Sequence, residues 1–290
     1  MFVLFAVVME SAEAAELPDY PMIKVQAGSF IMGSPVTEPG RLQVEPQRTV
    51  TIPKAFLIGA TEVTQDLWVA VMGSNPSWFK ACGGACPVEQ ISWCDAVYFS
   101  NRFSQISGYS PAYQLPQGFE RTLGDKGGAY CVQEAGKVKQ IPGSNGYRLP
   151  TAAEWEFAAR VGQTTPLTEA ELHWVAWYDG NAGGTTHPVA TKRPTVIGLY
   201  DVFGNVGEWT WNSRADLVEK WVDSPGDPIG KYRVSKGSSY SDNYGTRPPD
   251  LLAGLVDNYE QRHHRVAWWR NDPPSARWEW TGCRLVRTSQ

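Results

Sequence analysis

The sequence predicts a loop-rich α+β domain with few helices, and three observations support this class. Helical periodicity is confined to three short segments in the first 160 residues of a chain of 290. Short stretches of alternating apolar and polar residues, typical of half-buried strands, lie before and between them. After residue 160, Gly, Asn, Asp and Pro recur and no helical period is sustained. Because no repeat or linker divides the chain, residues 21–290 are predicted to form one domain.

The first elements are two strand regions and a helix. Apolar alternation over residues 22–33 and 49–63 predicts strands. Thr64 is then a typical N-cap, and Gly73 a typical helix end. The predicted buried face of this helix consists of Leu67, Trp68, Val71 and Met72.

Two further helices are predicted by caps and apolar stripes. One begins at Ser92, and the other at Thr151, where Glu154 completes a capping box after Pro150. The stripes predicted to be buried are Ala96, Phe99, Phe103 and Ile106 in the first and Trp155, Ala158 and Ala159 in the second.

The N-terminus has part of the pattern of an export signal. Residues 1–9 are apolar and small residues follow, although the basic region that normally precedes them is missing. We expect residues 1–20 to be a residual leader of an exported protein, secreted or displayed at the cell surface. Any membrane association would then use a leader or lipid anchor that this sequence does not show, because no apolar run reaches the length of a membrane helix.

Five cysteines are present, at spacings that match no zinc motif. Cys82 and Cys86 flank a Gly-Gly pair that would allow a small disulfide. Together with Cys94 and Cys131 they allow three pairings, among which the sequence does not choose. Cys283 is the fifth cysteine and has no partner in these pairings.

The composition excludes a generally basic nucleic-acid binder, since the net charge is −4. The charge is uneven, however: residues 233–290 carry nine Lys or Arg and six Asp or Glu, a net +3, which leaves −7 for the rest. The same stretch holds two of the four histidines and four of the thirteen tryptophans. Arg, Trp, Tyr and His dominate interface hot spots, so a binding surface is predicted here.

Several long motifs resemble the formylglycine-generating enzyme, or sulfatase-modifying factor, family. They fall in the family's order over residues 21–290. The motifs are FIMGS (30–34), ATEVTQDLW (60–68), PVEQISWCDAVYFSNRFS (87–104), YRLPTAAEWEFAAR (147–160), HPVATKRPTVIGLYDVFGNVGEW (187–209), RVSKGSSY (233–240) and GCRLVR (282–287). The resemblance implies the C-type-lectin-like fold in its formylglycine-generating-enzyme form.

The resemblance also implies a structural Ca²⁺. The matching family motif would hold it through the side chains of Asp201 and Glu208 and the carbonyls of Gly204 and Val206, and carboxylate and carbonyl oxygens suit this ion. The alternative is an ordered loop in which Glu208 bonds to backbone N–H groups. The family's second calcium site lacks its acidic residue near Ala190.

The catalytic cysteine pair of the family is absent. In the family two cysteines bind Cu(I) between the strand matching KGSSY and the final strand, whereas residues 240–282 contain none. Cys283 is expected to be a buried apolar thiol. Adjacent His263 and His264 do not make a metal site without a third ligand. We therefore expect no copper and no enzymatic activity.

Residues 237–283 keep the family's frame but have different contents, which indicates a binding surface. This arrangement resembles the variable proteins of diversity-generating retroelements, of which a surface-exposed Treponema protein is an example. There, chosen codons near the end of the gene are diversified and a lectin-like domain displays them. The predicted partner is a protein or other cell-surface ligand, not nucleic acid. The predicted ligand-binding residues are Asp242, Tyr244, Arg247, Tyr259, Arg262, His263, His264, Trp268 and Trp269.

Two other functions stay open at this point. One is a copper-dependent formylglycine-generating oxidase, for which Cys283 would need to approach another cysteine. The other is a fixed carbohydrate- or protein-binding module, although Arg247-Pro248-Pro249-Asp250 is a poor match to a sugar-binding signature, and fold alone does not imply carbohydrate.

Overall fold

The computed structural model describes residues 17–163, 166–217, 231–242 and 263–289. Helices are short, as expected for this class. They are α1 (Gln65–Met72), α2 (Trp93–Ile106), α3 (Gly128–Glu134), α4 (Ala152–Arg160), α5 (Glu169–Val175), α6 (Asp179–Ala182) and α7 (Arg214–Leu217).

The strands form two principal sheets and two small ribbons. Their bounds are β1 (Met22–Val25), β2 (Gly28–Met32), β3 (Arg48–Ile52), β4 (Phe56–Gly59), β5 (Tyr113–Gln114), β6 (Lys139–Gln140), β7 (Gly207–Ser213), β8 (Arg233–Lys236), β9 (Trp269–Asp272), β10 (Thr281–Cys283) and β11 (Val286–Thr288). The orders are β1-β4-β11 and β10-β7-β8-β9, with antiparallel ribbons β2-β3 and β5-β6. Only the β10–β7 pair of the four-stranded sheet is parallel.

The first and last described strands lie in one sheet. β1 pairs with β4 from one side, and β11 pairs with it from the other. Residues 22–25 and 286–288 are therefore held on the two sides of β4, and the last described strand is tied into the domain.

One buried arginine joins the two principal sheets. Arg284 donates to the carbonyl oxygens of Gly59 and Ala60, at 3.0 and 2.8 Å, at the end of β4. Its guanidinium also pairs with Glu208 in β7, at 2.7 Å, and the side chain has no solvent exposure. Removing both charges from water is favourable only with this full set of partners.

The apolar core is built around helices and indoles. Trp93 of α2 and Trp209 of β7 are fully buried, and each indole N–H reaches a carbonyl at 2.9 Å, of Thr210 and Ile91 respectively. Buried indoles need such acceptors, so the Trp-rich composition is accommodated without unsatisfied donors at these positions. On the other side of the domain, Trp155 of α4 packs with the β4 sheet.

The α+β class and all three predicted helices are confirmed. Thr64, Ser92 and Thr151 accept hydrogen bonds as N-caps, the last two within full capping boxes. Ile106 was predicted to be buried, but it lies 48% exposed because it ends α2 beyond the core. Helices α3 and α5 were not predicted, although Thr168 begins α5 with the same capping-box pattern.

Two disulfides are present among the cysteines. They join Cys82 to Cys86 and Cys94 to Cys131, so the first confirms the small loop and the second selects one of three pairings. Cys283 is a free, buried thiol, as predicted.

Candidate functional site

The predicted binding segment leaves β8 through a fixed backbone. Gly237 has a φ of +79°, and a Cβ atom here would lie 3.2 Å from the Trp155 ring. Just before it, Lys236 has no exposure and its Nζ pairs with Glu156 Oε2 at 2.9 Å. The same Nζ donates to the carbonyl of Ala267 at 3.1 Å, and so ties the outgoing chain to the returning one.

The carboxylate of Asp242 fixes the outgoing chain. Its Oδ2 accepts from the backbone N–H of Ser239 at 2.7 Å and from its hydroxyl at 3.0 Å. Its charge pairs with Arg270 of β9. A Cβ atom at Gly207 would lie 3.6 Å from the guanidinium of Arg270. Burial alone raises the pKa of Asp242, but Arg270 and His263 outweigh it and hold this pKa well below its usual value.

The returning chain is fixed by its first three described residues. His263 Nδ1 lies 3.5 Å from Asp242 Oδ1. His264 is buried, with Nδ1 2.9 Å from the Ser238 hydroxyl and Nε2 3.2 Å from the carbonyl of Asp242. Burial lowers the pKa of His264.

Arg265 completes the attachment. Its guanidinium forms two bonds to Glu45, at 2.7 and 2.9 Å, with no exposure of the arginine side chain. It also donates to the hydroxyl of Ser34 at 2.8 Å. Such a bidentate pair fixes orientation as well as distance.

We call Asp242, His263, His264, Arg265 and Arg270 the anchor network. Among the described residues, its charged and polar contacts hold residue 242 and residues 263–265 in place. These contacts fix the described residues on either side of residues 243–262.

The structure places four residues of the predicted binding set in buried positions. Asp242, His264, Trp268 and Trp269 are only 6%, 3%, 5% and 7% exposed. Their side chains pack inside the domain, and their predicted contact with a ligand stays a prediction. Trp269 pairs with Lys236 across β8 and β9 and packs with Val234 in a core cluster, and sheet pairing is the physical reason for its burial. His263 is partly exposed, with 17% of its side chain accessible.

The remaining predicted ligand-binding residues are Tyr244, Arg247, Tyr259 and Arg262. All four lie outside the described residues. Their role stays a prediction, and they fall between the two anchored ends.

The predicted calcium motif folds into a buried acidic turn, and its residues fit a cation in part. Asp201 Oδ2 accepts from the N–H of Ala190 at 2.9 Å, whereas its Oδ1 is buried without a hydrogen-bond partner. Burial raises the pKa of Asp201 to about 6. An unpartnered buried carboxylate oxygen is what a hard cation would satisfy.

Glu208 fits that ion less well. Both of its oxygens bond to Arg284, and Oε2 also accepts from the indole of Trp155 at 2.6 Å. Its charge is therefore already compensated. Within the described ranges no group of three His, Cys, Asp or Glu could hold a metal, so a calcium here would depend on Asp201 and on the carbonyls of Gly204 and Val206.

The environment of Cys283 does not favour thiolate chemistry. The residue lies in β10 with no exposure, and burial, followed by Glu208 and Glu62, raises its pKa well above the usual value. The other four cysteines of the chain are engaged in the two disulfides. A copper site needs two accessible soft ligands, which these positions do not provide.

Sequence reasoning missed two partners of the anchored chain. Glu45 lies in a loop with no motif, and nothing in the sequence indicates that it meets Arg265. Glu156 lies inside the predicted third helix, and a carboxylate on the side that carries Trp155 could have indicated a buried cation. No helix of the described residues has the length and apolarity to cross a membrane.

The fold and the anchored segment define a C-type-lectin-like domain of the formylglycine-generating-enzyme type. The chain belongs to the sulfatase-modifying factor family, since the family described as "Sulfatase-modifying factor enzyme 1-like domain" matches residues 6–289.

Particular relatives support this membership. The chain is 35% identical over 216 residues to the "Chaperone protein LppX" of Paenibacillus barcinonensis, covering 66% of this chain and 71% of that protein. It is 35% identical over 113 residues to the formylglycine-generating enzyme of Bos taurus, but this covers only 33% of the chain and 30% of the enzyme. Among solved structures, "Treponema denticola variable protein 1" is 30% identical with a TM-score of 0.74, covering 98% of this chain and 100% of that one.

Proposed function

We propose that this protein is a non-catalytic receptor-like binder that displays a diversified C-terminal surface, as a variable protein of a diversity-generating retroelement. The observation that carries the proposal is the anchor network. It fixes Asp242 on one side and His263, His264 and Arg265 on the other, which supports a frame that tolerates change in residues 243–262. Similarity over nearly the full length to a Treponema variable protein supports the same function.

The chemistry of the segment fits recognition. Tyr244, Arg247, Tyr259 and Arg262 are side chains that binding surfaces use, because aromatic rings supply contact area at low entropic cost and Arg supplies directed hydrogen bonds. The partner we propose is a protein or another cell-surface ligand, met by an exported protein. The burial of Cys283 and the engagement of the other cysteines support a function without copper chemistry.

The test is to sequence the 3′ end of the gene in many closely related isolates. Substitutions should concentrate in codons 243–262, while the codons for the anchor network and for Lys236, Glu45 and Glu156 stay unchanged. Codon 125, for an exposed aspartate remote in sequence from the segment, measures the background rate.

Two results would overturn the proposal. Substitutions scattered evenly along the gene would indicate a fixed binding module or a divergent enzyme. Substitutions that concentrate on Asp242, Arg265 or Arg270 would show that the anchored ends are themselves diversified, against the role given to the network.

A further inference from the structure

Two large indoles near the anchor network are exposed, and no packing role explains their exposure. Trp78 is 71% exposed, and Trp278 is 37% exposed. Trp278 stacks on Trp280, with ring centroids 4.9 Å apart and planes within 9°. Exposed aromatic surface of this kind often marks an interaction site.

The indoles belong to one part of the surface. The buried carboxylate of Glu89 accepts from the backbone N–H groups of Trp78 and Phe79 at 2.8 and 2.9 Å. The next residue, Gln90, donates its N–H to the carbonyl of Trp278 at 3.0 Å. We call Trp78, Trp278 and Trp280 the aromatic shelf.

The aromatic shelf adjoins the start of the anchored segment. The ring of Phe79 packs edge-on against Tyr240, with centroids 5.1 Å apart. Tyr240 lies two residues before Asp242. A ligand held by residues 243–262 would therefore have the shelf within reach.

The backbone under the shelf is fixed. Gln90 has a φ of 59°, a left-handed conformation that is costly for a residue with a side chain. Arg277 donates to its carbonyl at 3.2 Å and forms an ion pair with Asp95. Since Gln90 and Arg277 hold the backbone at Trp278 in this way, binding on the shelf would require little ordering.

The charge around the shelf is negative. Glu279 lies between Trp278 and Trp280 in sequence, and Asp272 accepts from the Trp278 indole at 3.1 Å. Neither carboxylate forms an ion pair with the described residues. Arg270 and Arg277 are neutralised by Asp242 and Asp95.

Two further groups modify this charge. Burial raises the pKa of Glu89 to about 7, so it adds partial negative charge at neutral pH. Lys80, exposed in the neighbouring turn, is the opposing cation. Indole faces bordered by free carboxylates suit a cation.

We propose that the aromatic shelf binds lysine or arginine side chains of a protein partner, as a fixed subsite next to the diversified segment. This inference rests on the proposed function, because it assigns the partner class for the same binding surface. An indole face attracts the guanidinium or ammonium group, and Glu279 supplies the opposite charge at the rim. The fixed subsite would give each diversified version a common, weak contact.

The experiment titrates the full chain with a capped peptide in which three Arg alternate with Gly, and follows the indole N–H signals by ¹H–¹⁵N NMR. We expect the signals of Trp78, Trp278 and Trp280 to shift on a common binding curve. Trp278→Ala and Glu279→Gln should each weaken binding by about fivefold, the size of one exposed cation–π or ionic contact. Trp174→Ala is the matched control: its indole is 57% exposed on α5 and already carries Arg193 on its face.

Three outcomes would overturn the proposal. The first is equal binding of a peptide with citrulline in place of Arg. The second is unchanged affinity in both Trp278→Ala and Glu279→Gln. The third is stronger binding of a neutral oligosaccharide than of the peptide, which would make the shelf a sugar site.

Failure of the shelf can be told from failure of the proposed function. A variant with Ala at Tyr244, Arg247, Tyr259 and Arg262 should keep peptide binding, because the shelf lies outside those residues. Peptide binding with no concentration of substitutions in codons 243–262 would leave the shelf standing and refute diversification. Concentrated substitutions without peptide binding would refute the shelf and support diversification.

Discussion

Asp242→Asn should destabilise the domain through the anchor network while preserving the shape of the side chain. The amide can still accept from the N–H of Ser239, but it no longer neutralises Arg270 or faces His263 with a negative charge. Breaking a buried pair by removing one partner costs about 3–5 kcal/mol. Because the Arg270 side chain is 19% exposed, water compensates part of this, and we expect about 2–3 kcal/mol.

That loss should lower Tm by about 5–10 °C at pH 7 in a chain of this size. Differential scanning calorimetry measures it. The pKa of Asp242 is lower in the folded state than in the unfolded state, so its stabilisation is present above the unfolded value, about 4, and is lost as the pH falls through the folded value. The difference in Tm between parent and variant should therefore stay nearly constant from pH 6 to about pH 4 and shrink below it.

Two controls make this prediction sharp. Asp125→Asn, at an exposed aspartate, should change Tm by less than about 2 °C. Asp242→Asn combined with Arg270→Gln should cost less than the sum of the single changes, because the second removes the uncompensated cation. A variant that melts with the parent at pH 7, or strictly additive effects of the two changes, would refute the role of this pair.

Three other predictions concern the buried interior. Arg284→Met should cost about 3–5 kcal/mol because it leaves Glu208 buried without its cation, whereas the same change at exposed Arg102 should cost little; urea denaturation decides, and equal effects would contradict it. Ca²⁺ added to chelator-treated protein should raise Tm in the parent but not in Asp201→Asn, and a Tm that ignores Ca²⁺ would remove the calcium prediction. Cys283 should resist a disulfide-exchange thiol reagent at pH 8 in the folded state and react in urea, since burial removes both access and thiolate; rapid labelling of the native protein would show that the thiol is reachable.

The local signals of the sequence were sufficient for the helices that combine a strong cap with a clear apolar stripe. Thr64, Ser92 and Thr151 each act within one turn, since each side chain accepts a hydrogen bond from the backbone N–H three residues on. Such contacts depend on neighbours in sequence and need no knowledge of the fold. Helices α3 and α5 were missed because their apolar stripes are weak. Their stability depends on packing against residues that are distant in sequence.

The binding segment shows where sequence reasoning ends. Composition drew attention to residues 237–283 as a binding region, and this stays a prediction. It did not distinguish anchoring side chains from displayed ones, because Trp, His and Asp serve both purposes. Trp269 is buried only because β9 pairs with β8, and a pairing between strands so distant in sequence leaves no local trace.

The sequence by itself determined the family, the α+β class, the capped helices and the absence of a cysteine pair between residues 240 and 282. Tertiary structure alone decided the disulfide partners, the neutralisation of Glu208 by Arg284 and the joining of Asp242 to His263, His264 and Arg270. The physical reason is that burying a charge is favourable only beside a compensating group. In this chain those groups come from strands and loops far apart in sequence, and only the folded arrangement brings them within bonding distance.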